Sequence, residues 1–118
     1  MHELSIALDI LDFVKEEMAR RQLDDLRAVG VRIGALSAVD PEALSFGFTV
    51  ACHETPLEGV RLEIELVPAE IECEICGYQG TTKTTEFICP RCRSSNIAIS
   101  QGYELDIAYL ETGDDTAS

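Results

Sequence analysis

From Glu3 to about Gln22 the apolar residues Leu4, Leu8, Leu11, Val14 and Met18 recur every three or four positions, and Ile6, Ile10 and Phe13 widen the stripe. Asp9, Asp12, Glu16 and Arg20 fall on the other side. That period predicts an amphipathic helix, with Glu16 and Arg20 spaced to pair one turn apart. Val29, Val31 and Ile33 then alternate with Gly30, Arg32 and Gly34, the pattern of a strand with one buried face. Asp40-Pro41-Glu42 reads as a helix start. Asp caps the free amides, Pro fits the first turn, and an acid suits the positive end. Leu44, Phe48 and Cys52 follow on one face, and Glu54-Thr55-Pro56 stops the helix.

Val60 to Leu66 alternates without a break and is the clearest strand in the chain. Tyr103, Leu105, Ile107 and Tyr109 alternate with Glu104, Asp106 and Ala108 to give a third. Between these two strands, residues 68–102 are poor in large apolar side chains and hold two CxxC pairs. The pattern predicts an α+β fold, two helices packed on a three-stranded β-sheet, with an inserted zinc-ribbon-like module of four cysteines. The expected domains are 1–67 plus 103–112, discontinuous, and 68–102. Residues 113–118, small, polar and acidic, are expected to form a disordered tail.

Composition narrows the function classes. The 118 residues are 46% hydrophobic and 26% charged, ordinary for a globular chain and too apolar for a disordered one. Asp and Glu number 22 against 9 Lys and Arg, a formal charge of −13. Affinity for phosphates rests on Lys and Arg, so no nucleic-acid partner is expected. Even within residues 68–102, Lys83, Arg91 and Arg93 are outnumbered by Glu70, Glu72, Glu74 and Glu86. No apolar run approaches a membrane span and the start has no basic leader region, so a cytoplasmic protein without membrane insertion is expected. No nucleophile–base pair, phosphate-cradling loop or paired-carboxylate site stands out, which argues against an enzyme.

The cysteines carry the first specific chemistry. Cys73 and Cys76 form one pair, Cys89 and Cys92 the second, with residues 77–88 between them; Cys52 stands alone. A CxxC turn aims two thiolates at one point, and a second pair completes a tetrahedral S4 site. Gly77 supplies the permissive backbone of a tight knuckle and Pro90 stiffens the other. Redox dithiols, two disulfides and a rubredoxin-like iron site compete with this reading. No thioredoxin-like βαβ unit is visible, and doubled CxxC spacing favours structural zinc. Cys52 is expected to pack as a buried small hydrophobe, with His53 near the helix end.

Met1-His2-Glu3 is a second candidate. A free amine, the His2 backbone nitrogen and the His2 imidazole can close adjacent chelate rings about one cation. A nitrogen-rich plane suits Ni²⁺ or Cu²⁺, and the Glu3 backbone nitrogen or carboxylate is nearest for the next position. A solvated histidine on a frayed terminus is the plainer alternative.

The opening MHELSIA, the segment TPLEGVRLEIE and the pair CEICG…CPRC, in that order, resemble the HypA/HybF family of hydrogenase-maturation nickel metallochaperones. The likeness runs through nearly the whole chain and stops at the acidic tail. It implies a nickel-binding α+β domain interrupted by a zinc domain. It also implies Ni²⁺ as cargo at Met1, His2 and Glu3, through the His2 side chain and the backbone nitrogens. Zn²⁺ would sit as a structural ion at Cys73, Cys76, Cys89 and Cys92. The implied partners are a hydrogenase-maturation GTPase and the nickel–iron hydrogenase large subunit, with urease maturation proteins for some members. Some members recruit a further histidine from the zinc domain; residues 68–102 contain none here. The competing reading is a zinc-ribbon module for protein interaction or transcription, without a nickel function.

Overall fold

The computed structural model describes residues 2–82 and 87–113, with the side chain of Thr82 left aside. The elements run α1 (His2–Arg21), β1 (Leu26–Gly34), α2 (Pro41–Cys52), β2 (Arg61–Val67), β3 (Ala69–Cys73), β4 (Gln79–Thr82), β5 (Ile97–Gln101) and β6 (Leu105–Thr112). They form two three-stranded sheets, ordered β2-β1-β6 and β4-β3-β5. The α+β class with two helices is therefore as the pattern predicts. Two compact units emerge from the contacts, Met1–Val31 with Val39–Ile64 and Ile107–Ser118, and Arg32–Ala38 with Glu65–Asp106.

In the first unit, α1 buries Ala7, Ile10, Leu11 and Val14. The buried stripe is rotated from the predicted one, since Leu4, Leu8 and Phe13 are each nearly half exposed. Small residues set that rotation: a Cβ built on Gly47 would lie 3.6 Å from both Ala7 Cβ and Leu4 Cα, so α1 and α2 approach through Ala7 and Gly47. The predicted Glu16–Arg20 pair is replaced by Glu17, which accepts from Arg20 at 2.6 Å and Arg21 at 2.9 Å. The C-terminal turn of α1 thus gathers its cations on one carboxylate, a surface contact of modest worth.

The capping prediction holds. Asp40 Oδ1 accepts the Glu42 N–H at 3.0 Å and the Ala43 N–H at 3.5 Å, and Pro41 opens the helix. Leu44, Phe48 and Cys52 are buried on one face of α2. His53 closes the helix, with its Nδ1 3.0 Å from Glu58 Oε2.

β1 differs from the expected one-faced strand. It is the central strand, and Ala28 and Gly30 are buried as well as Val29, Val31 and Ile33. Gly30 is covered by the Tyr109 ring of β6, which a Cβ there would overlap. The Tyr109 hydroxyl donates to Glu63 Oε1 on β2, so one aromatic side chain spans the sheet. The outer strands alternate less cleanly than their sequences: Leu66, Leu105 and Tyr109 are exposed while Val67 is buried. Gly113, expected in the tail, donates its N–H to Asp25 O at 2.9 Å. The rest of that tail, 114–118, lies outside the described residues.

Candidate metal centre

The second unit contains a sheet that the hydrophobic pattern did not predict. β3 alternates Ala69, Ile71 and Cys73 inward with Glu70 and Glu72 outward. It pairs antiparallel with β4, Ile71 opposite Gly80, and with β5, Cys73 opposite Ile97. The Ala-Glu-Ile-Glu-Cys alternation was the available signal, obscured by the shortness of the strands and the small residues in them.

Each knuckle is built from the same two backbone bonds. Cys73 N–H donates to Tyr78 O at 2.8 Å while Gly77 N–H returns to Cys73 O at 3.0 Å. Cys89 N–H donates to Ser94 O at 2.8 Å while Arg93 N–H returns to Cys89 O at 2.8 Å. The turn needs a left-handed residue at its fourth step, supplied by Gly77 at φ +80° and by Arg93 at φ +66°. Amides then converge on the sulfurs. Ile75 and Cys76 N–H reach Cys73 Sγ at 3.4 Å, and Arg91 and Cys92 N–H reach Cys89 Sγ at 3.3 and 3.4 Å.

The knuckles face each other. Cys73 Sγ lies 3.6 Å from Cys92 Sγ, and Cys76 Sγ lies 3.6 Å from Cys89 Sγ. All four sulfurs fall within 4.8 Å of one another. A tetrahedron of thiolates at the usual zinc–sulfur length of about 2.3 Å has edges of about 3.8 Å, so the donor set fits such an ion in size as well as chemistry. Cys73 and Cys89 are buried, Cys76 is half-buried and Cys92 is exposed. The Tyr78 N–H draws the Cys76 thiol down to about 6. Cys92 is held up at about 12: the Ser94 N–H favours its thiolate, but burial and the neighbouring sulfurs outweigh that bond. All four can be thiolates together only with a cation among them, since without one the crowding keeps Cys92 protonated.

The first unit presents the other candidate residues. His2 is exposed at the start of α1. Met1 lies outside the described residues. Glu3 Oε2 accepts the Asp40 N–H at 3.0 Å, and this bond, with Glu3's own N–H, lowers its carboxyl to about 2. No local pattern signals the Asp40 contact, because it joins positions 37 apart. Cys52 is buried and is not a member of the four-cysteine group, its thiol pushed up by burial. Among the described residues, the cysteine cluster is the one group of three or more His, Cys, Asp or Glu side chains close enough to hold a metal ion.

Comparison with known proteins agrees with this anatomy. A family model described as "Hydrogenase/urease nickel incorporation, metallochaperone, hypA" matches residues 1–112. Hydrogenase maturation factor HypA of Roseiflexus sp. (strain RS-1) is 42% identical over 117 residues, 98% of this chain and 95% of the relative. Hydrogenase maturation factor HybF of Morganella morganii is 32% identical, covering 94% of this chain and 98% of its own. The solution structure of the Ni metallochaperone HypA from Helicobacter pylori superposes with a TM-score of 0.65 at 27% identity, covering 95% of this chain and 97% of that one. With its fold, its cysteine cluster and its sequence in agreement, this chain belongs to the HypA/HybF family of nickel-incorporation metallochaperones and hydrogenase maturation factors.

Proposed function

We propose that this protein captures Ni²⁺ at its N-terminus and delivers it during maturation of nickel–iron hydrogenase, with Zn²⁺ as a structural ion at Cys73, Cys76, Cys89 and Cys92. The His2 imidazole is the side-chain nickel donor. The Met1 amine and the His2 and Glu3 backbone nitrogens complete the set. Residues 1–67 with 103–112 serve as the nickel domain and residues 68–102 as the zinc domain. The expected partners are a maturation GTPase and the hydrogenase large subunit, and the family description supports adding urease maturation. The protein acts as a carrier in the cytoplasm and catalyses no bond change.

The observation that carries this reading is the state of the first turn of α1. His2 is exposed and accessible to an ion, while the Glu3 carboxylate is engaged by the Asp40 N–H. A histidine on an anchored turn is partly pre-organised to chelate, unlike one on a free terminus. The Glu3 carboxylate is thereby assigned to support and the Glu3 backbone to ligation. Few protein donors and an open position suit capture followed by release through ligand exchange. The zinc ion, closed in by four thiolates, contributes folding energy to a unit with a small core.

The test is a calorimetric Ni²⁺ titration of the native chain, His2→Ala, and a chain extended before Met1. Both altered chains should lose the nickel-binding step. Full affinity in both would exclude the terminal site.

A further inference from the structure

The second knuckle reaches into the first through one side chain. The Arg91 guanidinium, between Cys89 and Cys92, donates to the Cys76 carbonyl oxygen at 2.7 Å. Its central carbon lies over the Tyr78 ring, 5.9 Å from the centroid, within the range of a cation–π contact. Tyr78 belongs to the first knuckle: its carbonyl accepts the Cys73 N–H, and its own N–H bonds Cys76 Sγ. The same guanidinium is within electrostatic reach of the Cys76, Cys89 and Cys92 thiol groups.

Two consequences follow for an ion held by these sulfurs. Four thiolates around a divalent cation carry a net charge of −2, on a chain already at −13. A fixed cation beside them favours the closed, loaded state over one in which a thiolate has left. Arginine suits this position because its plane can lie on a ring while its edge donates, and it is weakly hydrated. Release of the ion also requires the knuckles to part. They cannot do so without breaking the charge-assisted bond from Arg91 to Cys76 O and lifting the guanidinium off Tyr78.

We propose that Arg91 is a positioning residue that clamps the two knuckles together and compensates the charge of the metal–thiolate unit, so that the ion there is released slowly. The inference rests on reading the four cysteines as one zinc site. It gives the two metals different kinetic standing. The clamped centre keeps its ion while the terminal site at His2 exchanges, so a single chain holds a resident metal and a mobile one.

The test uses the full chain loaded with zinc and follows transfer of zinc to an excess of chromogenic chelator, for native protein, Arg91→Lys and Arg91→Met. Amide NMR spectra verify that each variant is folded. Arg91→Met should release zinc roughly tenfold faster than native, the loss expected for one charge-assisted bond. Arg91→Lys keeps charge without the planar fork and should fall between, at roughly threefold. Added salt should speed the native protein toward the Arg91→Met rate, because it screens the compensating charge. A contact that only packs would not respond to salt in this way. Equal release from native protein and Arg91→Met overturns the proposal; should Arg91→Met fail to fold, equal release from native protein and Arg91→Lys does so. Native protein that holds no zinc overturns the four-cysteine reading itself, an outcome separable from the first two.

Discussion

The Asp40 backbone N–H donates to Glu3 Oε2 at 3.0 Å, and Asp40 Oδ1 in turn accepts the Glu42 N–H at 3.0 Å. One residue therefore caps α2 and anchors the first turn of α1. The consequence is testable because glutamine keeps an acceptor and alanine does not. Glu3→Gln should bind Ni²⁺ nearly as the native chain does. Glu3→Ala should weaken binding by about tenfold, as loss of a supporting contact outside the donor set typically does. Calorimetric titration separates the two; equal losses in both would mean that the carboxylate itself is a ligand.

The same contact sets one pH window, and nickel loading sets a second. The Glu3 carboxyl lies near 2, below its ordinary 4.5, chiefly because the Asp40 N–H bonds the charged form. A carboxyl lowered on folding contributes its stability fully above 4.5 and loses it as pH falls through about 2. Protons compete with Ni²⁺ for nitrogen donors, so loading should weaken as the solution is acidified. Acid should therefore discharge nickel while the anchor is intact. Carbon-13 titration of the Glu3 carboxyl, beside nickel binding at each pH, checks both; a shared midpoint would contradict it.

The knuckles differ in one backbone detail with a measurable effect. Gly77 and Arg93 hold equivalent left-handed positions, and only Gly adopts that conformation freely. Gly77→Ala should destabilise the zinc-loaded chain by about 1 kcal/mol or more. Arg93→Gly should be neutral or stabilising by about 0.5 kcal/mol, strain relief offsetting the added freedom of the unfolded chain. Urea unfolding of both variants gives the two signs, and a loss at Arg93 comparable to that at Gly77 would show that the Arg93 side chain matters more than its backbone.

What the sequence revealed depended on the range of the interaction. Helix caps, the Leu44-Phe48-Cys52 face and the cysteine spacing are local, and the chain carries them in consecutive residues. The rotation of α1 depends on Gly47, some forty positions away, meeting Ala7, and no periodicity within α1 carries it. Gly30 reads as an outward position until Tyr109 closes over it from β6. β3 and β5 are short and mix small or charged residues with the apolar ones, which weakens their alternation. In the candidate sites, the cysteines announce themselves by spacing. The Asp40 anchor and the Arg91 bridge, by contrast, are tertiary facts.

Removal of zinc should act on one unit of the chain. Among the described residues of 68–102 the buried side chains are Ala69, Ile71, Cys73 and Cys89, too little apolar surface to fold without the ion. After chelation, amide NMR signals from β3, β4 and β5 should collapse toward unfolded positions while the α1 and α2 signals persist. Retained dispersion in those strands would mean that the sheet is stable without metal.

The most direct test of the central claim, a terminal nitrogen site for nickel beside a separate thiolate site for zinc, is nickel K-edge X-ray absorption. The sample is the zinc-loaded full chain with one equivalent of Ni²⁺. Nitrogen and oxygen neighbours around nickel are expected, imidazole among them, with zinc still bound to sulfur. Sulfur neighbours around nickel, or release of zinc on nickel addition, would contradict it.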